Sequence, residues 1–229
     1  MHVVVTGANR GIGLELVRQL ARRGDRVEAA VRDPDRASEL RAIGGGGGAI
    51  GLHRVDVTDP VQVGELATRL ADAAIDVVIN CAGVYGGTRQ SLRDFDAADA
   101  MRTYDVNALG ALRVALALVP HLRRGAGKKL AHISSGMSSI ADNSSGGFYG
   151  YRMSKAALNM MSKSLAVDLR PEGIASFVIN PGWVQTDMGG AGAPTPVDVS
   201  VHGILRELDA ATLEQTGEFL DFKGRRYPW

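Results

Sequence analysis

A tyrosine and a lysine four residues apart, Tyr151 and Lys155, are the side chains best suited to proton transfer. They open a long stretch with helical spacing, and positions i and i+4 share one helix face. A free phenol has a pKa near ~10, and a neighbouring ammonium group would lower it. The pair could therefore exchange a proton as general acid or base. An amphipathic tyrosine beside a solvated lysine would show the same spacing. Tyr149 lacks the cation, because its i+4 residue is Met153.

Two adjacent serines, Ser134 and Ser135, offer hydroxyl groups at the end of a predicted strand at residues 130–134. Ligands of parallel sheets bind outside the carboxyl ends of the strands. A hydroxyl at that edge can donate a hydrogen bond to a substrate oxygen on which charge develops.

A glycine-rich turn follows the first predicted strand. Gly7, Gly11 and Gly13 have the spacing G-x-x-x-G-x-G within residues 6–13. Glycines permit a tight turn and close backbone approach, and the following helix would present free N–H groups and a positive dipole to a pyrophosphate. A strand-to-helix turn without a ligand is the alternative, but the position at the first βα turn favours phosphate binding.

Strands and helices alternate along the chain. Hydrophobic spacing predicts strands at residues 3–5, 27–31, 50–55, 75–80, 130–134, 174–180 and 218–220, and helices at 14–21, 35–42, 59–71, 97–122, 151–169 and 197–209. The alternation predicts an α/β fold with a doubly wound parallel sheet and helices on both faces. The five glycines at 44–48 predict a surface loop. No repeat or linker divides the chain, so residues 1–229 are predicted to form a single domain.

Composition excludes several classes of protein. The 229 residues are 45% hydrophobic and 22% charged with a formal net charge of +1, which excludes a wholly disordered chain and gives no basic field for nucleic acid. A single cysteine, Cys81, precludes an intrachain disulfide and suits a reducing compartment. The histidines show no metal-ligand spacing. The N-terminus does not read as a signal peptide, and the apolar stretch 108–120 contains Arg113 and is too short for a bilayer. We expect a cytoplasmic protein without a membrane, nucleic-acid or metal partner.

Four motifs, in the order in which they occur along the sequence, resemble those of the short-chain dehydrogenase/reductase family, and the resemblance covers nearly the whole chain. They are TGxxxGxG at 6–13, NCAG at 80–83 where the family has NNAG, YxxxK at 151–155 and PGxVxT at 181–186. The resemblance implies a Rossmann-type, three-layer α/β/α fold. It also implies an NAD(P)-dependent oxidoreductase that interconverts a carbonyl and an alcohol by hydride transfer. Residues 183–190 and 216–221 resemble the C-factor and sniffer-like carbonyl reductase branch.

The same resemblance implies the site residues. The catalytic set is Tyr151, Lys155, Ser135 and Asn107, of which Asn107 would support proton resupply from the lysine. In many members the serine precedes the tyrosine by thirteen residues, which makes Ser138 a rival; Ser135 is favoured because it directly follows the strand. The implied cofactor-binding residues are Gly7, Asn9, Arg10, Gly11, Ile12, Gly13, Arg32, Asp56, Val57, Asn80, Ala82, Gly83, Tyr151, Lys155, Pro181, Gly182, Val184 and Thr186.

The end of the second strand indicates which dinucleotide binds. An acidic side chain there would hold the ribose 2′-OH of NAD, but the family's position is occupied by Val31. Arg32 follows it, and Arg10 lies in the glycine turn, so both guanidinium groups can face a 2′-phosphate. The nearby acidic side chain of Asp33 instead favours NAD(H), unless its role is only to start the turn at Pro34. NADP(H) is the favoured cofactor, and NAD(H) remains an alternative.

The substrate is less well defined by sequence. The segment 187–196, which covers the substrate in the family, is short and rich in Gly, Ala and Pro, and indicates a short, mobile lid over an open site for small carbonyls. One rival function is an NADP(H)-binding redox sensor or signalling protein with little turnover. Another is a 3-oxoacyl thioester reductase, which would need a basic docking patch such as Arg123, Arg124, Lys128 and Lys129. Family helices after residues 97 and 151 often pair between subunits, which implies a homodimer or homotetramer; core burial would equally explain the apolar stretch 108–120.

Overall fold

The structure is a computed structural model that describes residues 1–43 and 49–229, so the predicted glycine loop at 44–48 lies outside the described residues. Within them, seven strands form one sheet whose neighbouring strands all run parallel, in the order β3-β2-β1-β4-β5-β6-β7. The strands are β1 (His2–Thr6), β2 (Arg26–Val31), β3 (Ile50–Arg54), β4 (Val77–Asn80), β5 (Lys129–Ile133), β6 (Ala175–Asn180) and β7 (Phe219–Asp221). The strand order reverses at β1, so the predicted doubly wound sheet is confirmed.

Helices cover both faces of the sheet. They are α1 (Gly11–Arg22), α2 (Ser38–Ile43), α3 (Pro60–Leu70), α4 (Ala97–Tyr104), α5 (Ala111–Arg124), α6 (Tyr149–Leu169) and α7 (Val197–Ala210). Side chains alternate along each strand. Val3 and Val5 of β1 therefore pack in the cluster that contains residues of α1 and α7, whereas Val4 packs in the cluster that contains residues of α3, α5 and α6. Two apolar cores, one on each face, hold the three layers together.

The single helix predicted at 97–122 is interrupted by a π-helical turn. Asp105–Gly110 is π-helical between α4 and α5, and such insertions are frequent at functional sites. Taken together, Ala97–Arg124 is 28 residues long and contains an 18-residue window with a mean hydropathy of 1.2, so by length and composition alone it could cross a membrane, beyond the shorter stretch considered in the sequence. In the structure 56% of its apolar window is buried, against α3 and α6 among other elements, as in a core helix.

Local capping explains two further element boundaries. The helix predicted at 35–42 is a 3₁₀ turn, Pro34–Arg36, followed by α2, and the Asp33 carboxylate accepts a hydrogen bond from the Asp35 amide at 3.2 Å. Asp33 therefore starts the turn at Pro34. The Asp59 side chain caps α3 through the amides of Val61 and Gln62.

Candidate active site

A cleft of about 1630 Å³ runs along the carboxyl ends of the strands. Of the residues predicted to be catalytic or to bind the cofactor, all but Asn80 and Asn107 line it: Gly7, Asn9, Arg10, Gly11, Ile12, Gly13, Arg32, Asp56, Val57, Ala82, Gly83, Ser135, Tyr151, Lys155, Pro181, Gly182, Val184 and Thr186. Positions spread over most of the sequence therefore meet at one edge of the sheet. The Thr6 hydroxyl fixes the centre of that edge, since it accepts hydrogen bonds from the Cys81 and Ala82 amides at 3.1 Å each and ties β1 to β4.

Tyr151 lies in the first turn of α6 with only 6% of its surface exposed. Burial raises the pKa of its phenol to about 12, because a buried site disfavours the anion, while a hydrogen bond with the Ser135 side chain acts in the opposite direction. The expected lowering of this pKa by Lys155 is therefore wrong for the protein without bound cofactor. The phenol holds its proton at neutral pH.

Lys155 follows one turn later on α6 and is also buried. Its Nζ donates a hydrogen bond to the Ile133 carbonyl oxygen at 2.9 Å, at the end of β5. Burial lowers the pKa of the ammonium group from 10.5 to about 8, and the nearby Cys81 thiol acts weakly in the opposite direction. The amine is therefore poised to gain or lose a proton close to neutral pH.

The three candidate serines have different surroundings. Ser134 and Ser138 are buried, and both hydrogen-bond the side chain of Asn159 on α6, at 2.7 and 2.8 Å. The Ser138 hydroxyl also donates to the Ser135 carbonyl oxygen at 2.6 Å. Ser135 lines the cleft beside Tyr151, whereas Ser138 does not. The placement agrees with the preference for Ser135.

Asn107 sits in the π-helical turn behind the cleft, 1% exposed. Its amide exchanges hydrogen bonds with the Val84 backbone, at 2.8 and 2.9 Å, and donates to the Ser154 hydroxyl at 2.9 Å. A Cβ atom built on Gly83 would lie 3.3 Å from Asn107 Oδ1 and 3.4 Å from Lys155 Nζ, so the two side chains are close neighbours. Asn107 therefore joins the loop after β4 to α6 beside the lysine, and does not face the cleft.

Asn80 also points away from the cleft. Its amide nitrogen donates to the Ala111 carbonyl oxygen and contacts His132 Nδ1, each at 3.2 Å, in the layer behind the sheet. Burial lowers the pKa of His132 to about 3, so this imidazole is neutral. The Asn80 side chain does not line the cleft, because in β4 the side chain at this position faces the helical layer, and the cofactor-binding role of Asn80 stays a prediction.

The glycine turn has the close packing expected of a phosphate-binding loop. Gly7 has a φ of 67°, and a Cβ there would lie 2.7 Å from the Ala82 backbone. A Cβ on Gly13 would overlap the Gly7 carbonyl oxygen. Arg10 precedes α1 without a side-chain cap, so the first-turn N–H groups are available to an anion. These residues fit a dinucleotide pyrophosphate.

The adenosine end of the cleft is basic. Arg10, Arg32 and Arg36 line it, and no carboxylate of the described residues lies within 4.0 Å of the Arg32 or Arg36 guanidinium. Arg10 Nη1 lies 3.9 Å from the exposed carboxylate of Asp187, beyond hydrogen-bonding distance. Arg36 was not singled out in the sequence, because it falls inside a predicted helix. The three guanidinium groups fit the 2′-phosphate of NADP(H).

Several cleft residues escaped the sequence analysis. The Tyr85 ring lies 4.7 Å from the Tyr151 ring and 5.6 Å from Phe148, and burial raises the pKa of its phenol. Tyr227 also lines the cleft and donates a hydrogen bond to Asp142 at 2.7 Å. Tyr85 could have been found from the sequence, because it lies two residues after the NCAG segment. Tyr227 lies near the far end of the chain, and no local pattern indicates that it reaches the cleft.

The basic cluster considered for docking an acyl carrier lies at the opposite edge of the sheet. Lys129 begins β5, whereas the cleft lies beyond the end of that strand. Arg123 forms a paired hydrogen bond with Glu172, at 2.5 and 2.8 Å, and Arg124 donates to the Ala71 carbonyl oxygen at 3.1 Å. These residues therefore do not form the docking patch beside the pocket that a 3-oxoacyl thioester reductase would need.

Comparisons with known proteins agree with the fold and the cleft. The sequence profile of the short chain dehydrogenase family matches residues 1–195. C-signal of Myxococcus xanthus is 50% identical over 163 residues, which cover 71% of this chain and 98% of that protein.

Two solved structures are similar over the full chain. The carbonyl reductase Sniffer of D. melanogaster superposes with a TM-score of 0.93 at 29% identity, and covers 100% of this chain and 99% of its own. An NADPH-bound carbonyl reductase from chicken fatty liver superposes with a TM-score of 0.92 at 32% identity, and covers 100% of this chain and 98% of its own.

Proposed function

The chain belongs to the short-chain dehydrogenase family, and we propose that it is an NADP(H)-dependent reductase of small carbonyl compounds. It is an NAD(P)-dependent oxidoreductase with NADP(H) as the supported cofactor. The proposal rests on one observation, which is the convergence of Tyr151, Lys155 and Ser135 in a cleft whose other end presents Arg10, Arg32 and Arg36.

The residues take distinct roles in the proposed reduction. Bound NADPH supplies the hydride. Ser135 donates a hydrogen bond to the carbonyl oxygen, which orients the substrate and stabilises the developing charge. Tyr151 gives its phenolic proton to the same oxygen as the alcohol forms. The Lys155 ammonium group, with a pKa of about 8, then returns a proton to the Tyr151 phenolate.

The pKa of Tyr151 fits the acid role that this residue takes in the proposed carbonyl reduction. At about 12 it keeps the phenol protonated at neutral pH, as a general acid requires. Asn107, which does not reach the cleft, acts as a positioning residue that holds Val84 and Ser154 beside Lys155.

The mouth of the cleft supports small substrates. The segment expected to be a short, mobile lid is folded back on itself by hydrogen bonds between Gln185 and Thr195 at 2.9 Å, Thr195 and Trp183 at 3.2 Å, and Gln185 and Ala193 at 3.0 Å. Trp183 beside it remains 61% exposed. A compact flap with an exposed aromatic rim leaves the site open to solvent, which suits small carbonyls better than a large enclosed ligand.

Initial rates of NADPH oxidation test this proposal, with NADH as the cofactor control. The carbonyl panel contains diketones, quinones, aldehydes and a 3-oxoacyl thioester. We expect turnover of several small carbonyls with NADPH and weaker turnover with NADH. Activity confined to the thioester would overturn the small-carbonyl proposal.

The relationship to C-signal keeps a signalling function as a second candidate. NADPH binding without turnover of any carbonyl in the panel would favour that candidate. The intact Ser135, Tyr151 and Lys155 favour catalysis, because binding alone would not require them.

A further inference from the structure

The N-terminus of α6, which carries Tyr151, is capped from a distant loop. The residue before the helix, Phe148, has a left-handed backbone (φ 51°) and provides no side-chain cap. The first amides of a helix need acceptors outside the helix. Here the Tyr149 amide donates to the Gln90 backbone carbonyl at 3.2 Å, and the Tyr151 amide donates to Gln90 Oε1 at 2.8 Å. Gln90 is 61 residues from Tyr151 in the sequence.

The other half of the Gln90 side chain holds the cleft wall. Gln90 is 5% exposed, and its Nε2 donates to the carbonyl oxygens of Tyr85 at 2.9 Å and Gly87 at 2.8 Å. Both amide hydrogens are used, so one buried carboxamide links the loop after β4 to the first turn of α6. Because Tyr85 packs its ring against Tyr151 at 4.7 Å, the link fixes the phenol and its neighbouring wall together.

Small residues flank the Gln90 side chain on both sides. A Cβ atom on Gly86, whose φ is 84°, would lie 3.1 Å from Gln90 Nε2. A Cβ on Gly150 would lie 3.3 Å from Gln90 Oε1. A side chain at either glycine would crowd the Gln90 carboxamide. The carboxamide is therefore closely packed between two segments of the chain, one at Gly86 and one at Gly150.

We propose that Gln90 is a positioning residue for the reduction, and this inference rests on the proposed function. By holding the backbone of Tyr151 and Tyr85, it keeps the phenol correctly positioned relative to Ser135 and the substrate oxygen. The rate of proton transfer depends steeply on this position, since a misplacement of ~1 Å can cost on the order of 10²-fold in rate. Gln90 touches neither the glycine turn nor Lys155, so cofactor binding does not depend on it.

The test compares Gln90→Met, which keeps the length but removes every side-chain hydrogen bond of this residue, with Gln90→Glu, which keeps an acceptor for the Tyr151 amide. Gln19→Met is the matched control, because Gln19 also bridges two elements through its amide, from α1 to Asp198 at 3.0 Å. We expect Gln90→Met to lower kcat by ~10- to 100-fold and to raise the solvent deuterium isotope effect, with the Kd for NADPH unchanged. Gln90→Glu should retain more of kcat, because it keeps an acceptor for the Tyr151 amide. Gln19→Met should leave these rates unchanged.

Amide hydrogen exchange of a peptide containing Tyr151 provides a readout that needs no substrate. Exchange in Gln90→Met should be faster than in the wild type and in Gln19→Met. Unchanged exchange, or unchanged kcat and isotope effect in an active enzyme, would overturn the role of Gln90. Parallel losses of kcat and NADPH affinity would also overturn it, since they indicate general destabilisation. A wild type without carbonyl turnover would defeat the proposed function alone, and exchange would still decide the role of Gln90.

Discussion

Replacement of Tyr151 by phenylalanine removes the proposed acid and little else. The ring packs against Tyr85 at 4.7 Å and is 6% exposed, so phenylalanine fits the same space. The variant loses the hydrogen bond with Ser135, worth about 1 kcal/mol net, and relieves the burial of a hydroxyl group. For a chain of this length the Tm should move by no more than about 4 °C.

The effect on rate is expected to be far larger than the effect on stability. General acid catalysis contributes ~10²- to 10⁴-fold, so the barrier should rise by about 3–5 kcal/mol. The Kd for NADPH should be unchanged, because Lys155 and the glycine turn are untouched. The assay is NADPH oxidation at saturating carbonyl, with NADPH fluorescence titration for binding.

Tyr149→Phe is the matched control for this experiment. Tyr149 lies two residues earlier on the same helix and packs edge-on against Phe95, with ring centroids 6.2 Å apart. It should keep wild-type turnover. The reasoning about the acid is refuted if Tyr151→Phe retains turnover within about tenfold of the wild type, since that corresponds to only about 1.4 kcal/mol.

Four further variants test separate parts of the site and fold. Ser135→Ala should lower kcat by ~10²-fold, whereas Ser138→Ala should mainly lower Tm; a larger kcat loss in the second would contradict the choice of serine. Arg32→Ala should raise the KM for NADPH by roughly 10- to 100-fold, from the loss of a hydrogen bond to a charged group, and leave the KM for NADH nearly constant; equal changes would argue against 2′-phosphate recognition. Hydrogen bonds from His53 and other groups lower the pKa of Glu28 from 4.5 to about 2, so this carboxylate stabilises the fold above pH ~4.5, and the stabilisation disappears as pH falls toward 2. Glu28→Gln should therefore lower Tm at pH 7, and thermal unfolding at several pH values should show the difference shrinking across that window; a constant difference would refute the assignment.

Most of the architecture could be predicted from local patterns. Hydrophobic spacing located all seven strands to within a few residues, and their alternation with helices implied the parallel sheet and its ligand edge. The interruption of the helix at 97–122 could not be predicted this way, because the six residues Asp105–Gly110 are too few for hydrophobic spacing to distinguish a π-helical turn from an α-helical one. Its effect is on Asn107, whose side chain it directs behind the cleft.

In the candidate site, too, some features could be predicted from local sequence patterns and others could not. Spacing alone placed Tyr151 and Lys155 on one face of a helix, and the glycine turn before another. It could not tell that burial raises the pKa of Tyr151 or that Asn80 points away from the cleft, because both depend on what packs around the side chain.

By itself, the sequence determined the order of strands and helices, the glycine turn and the i, i+4 pair, since these depend on residues close together in the chain. Only the tertiary structure decided which serine faces the cleft, which arginines gather at its adenosine end and which side chain caps the catalytic helix. Contacts such as that between Gln90 and Tyr151 join residues 61 positions apart. Their geometry is set by the packing of whole layers, and so it leaves no periodic signal in the sequence.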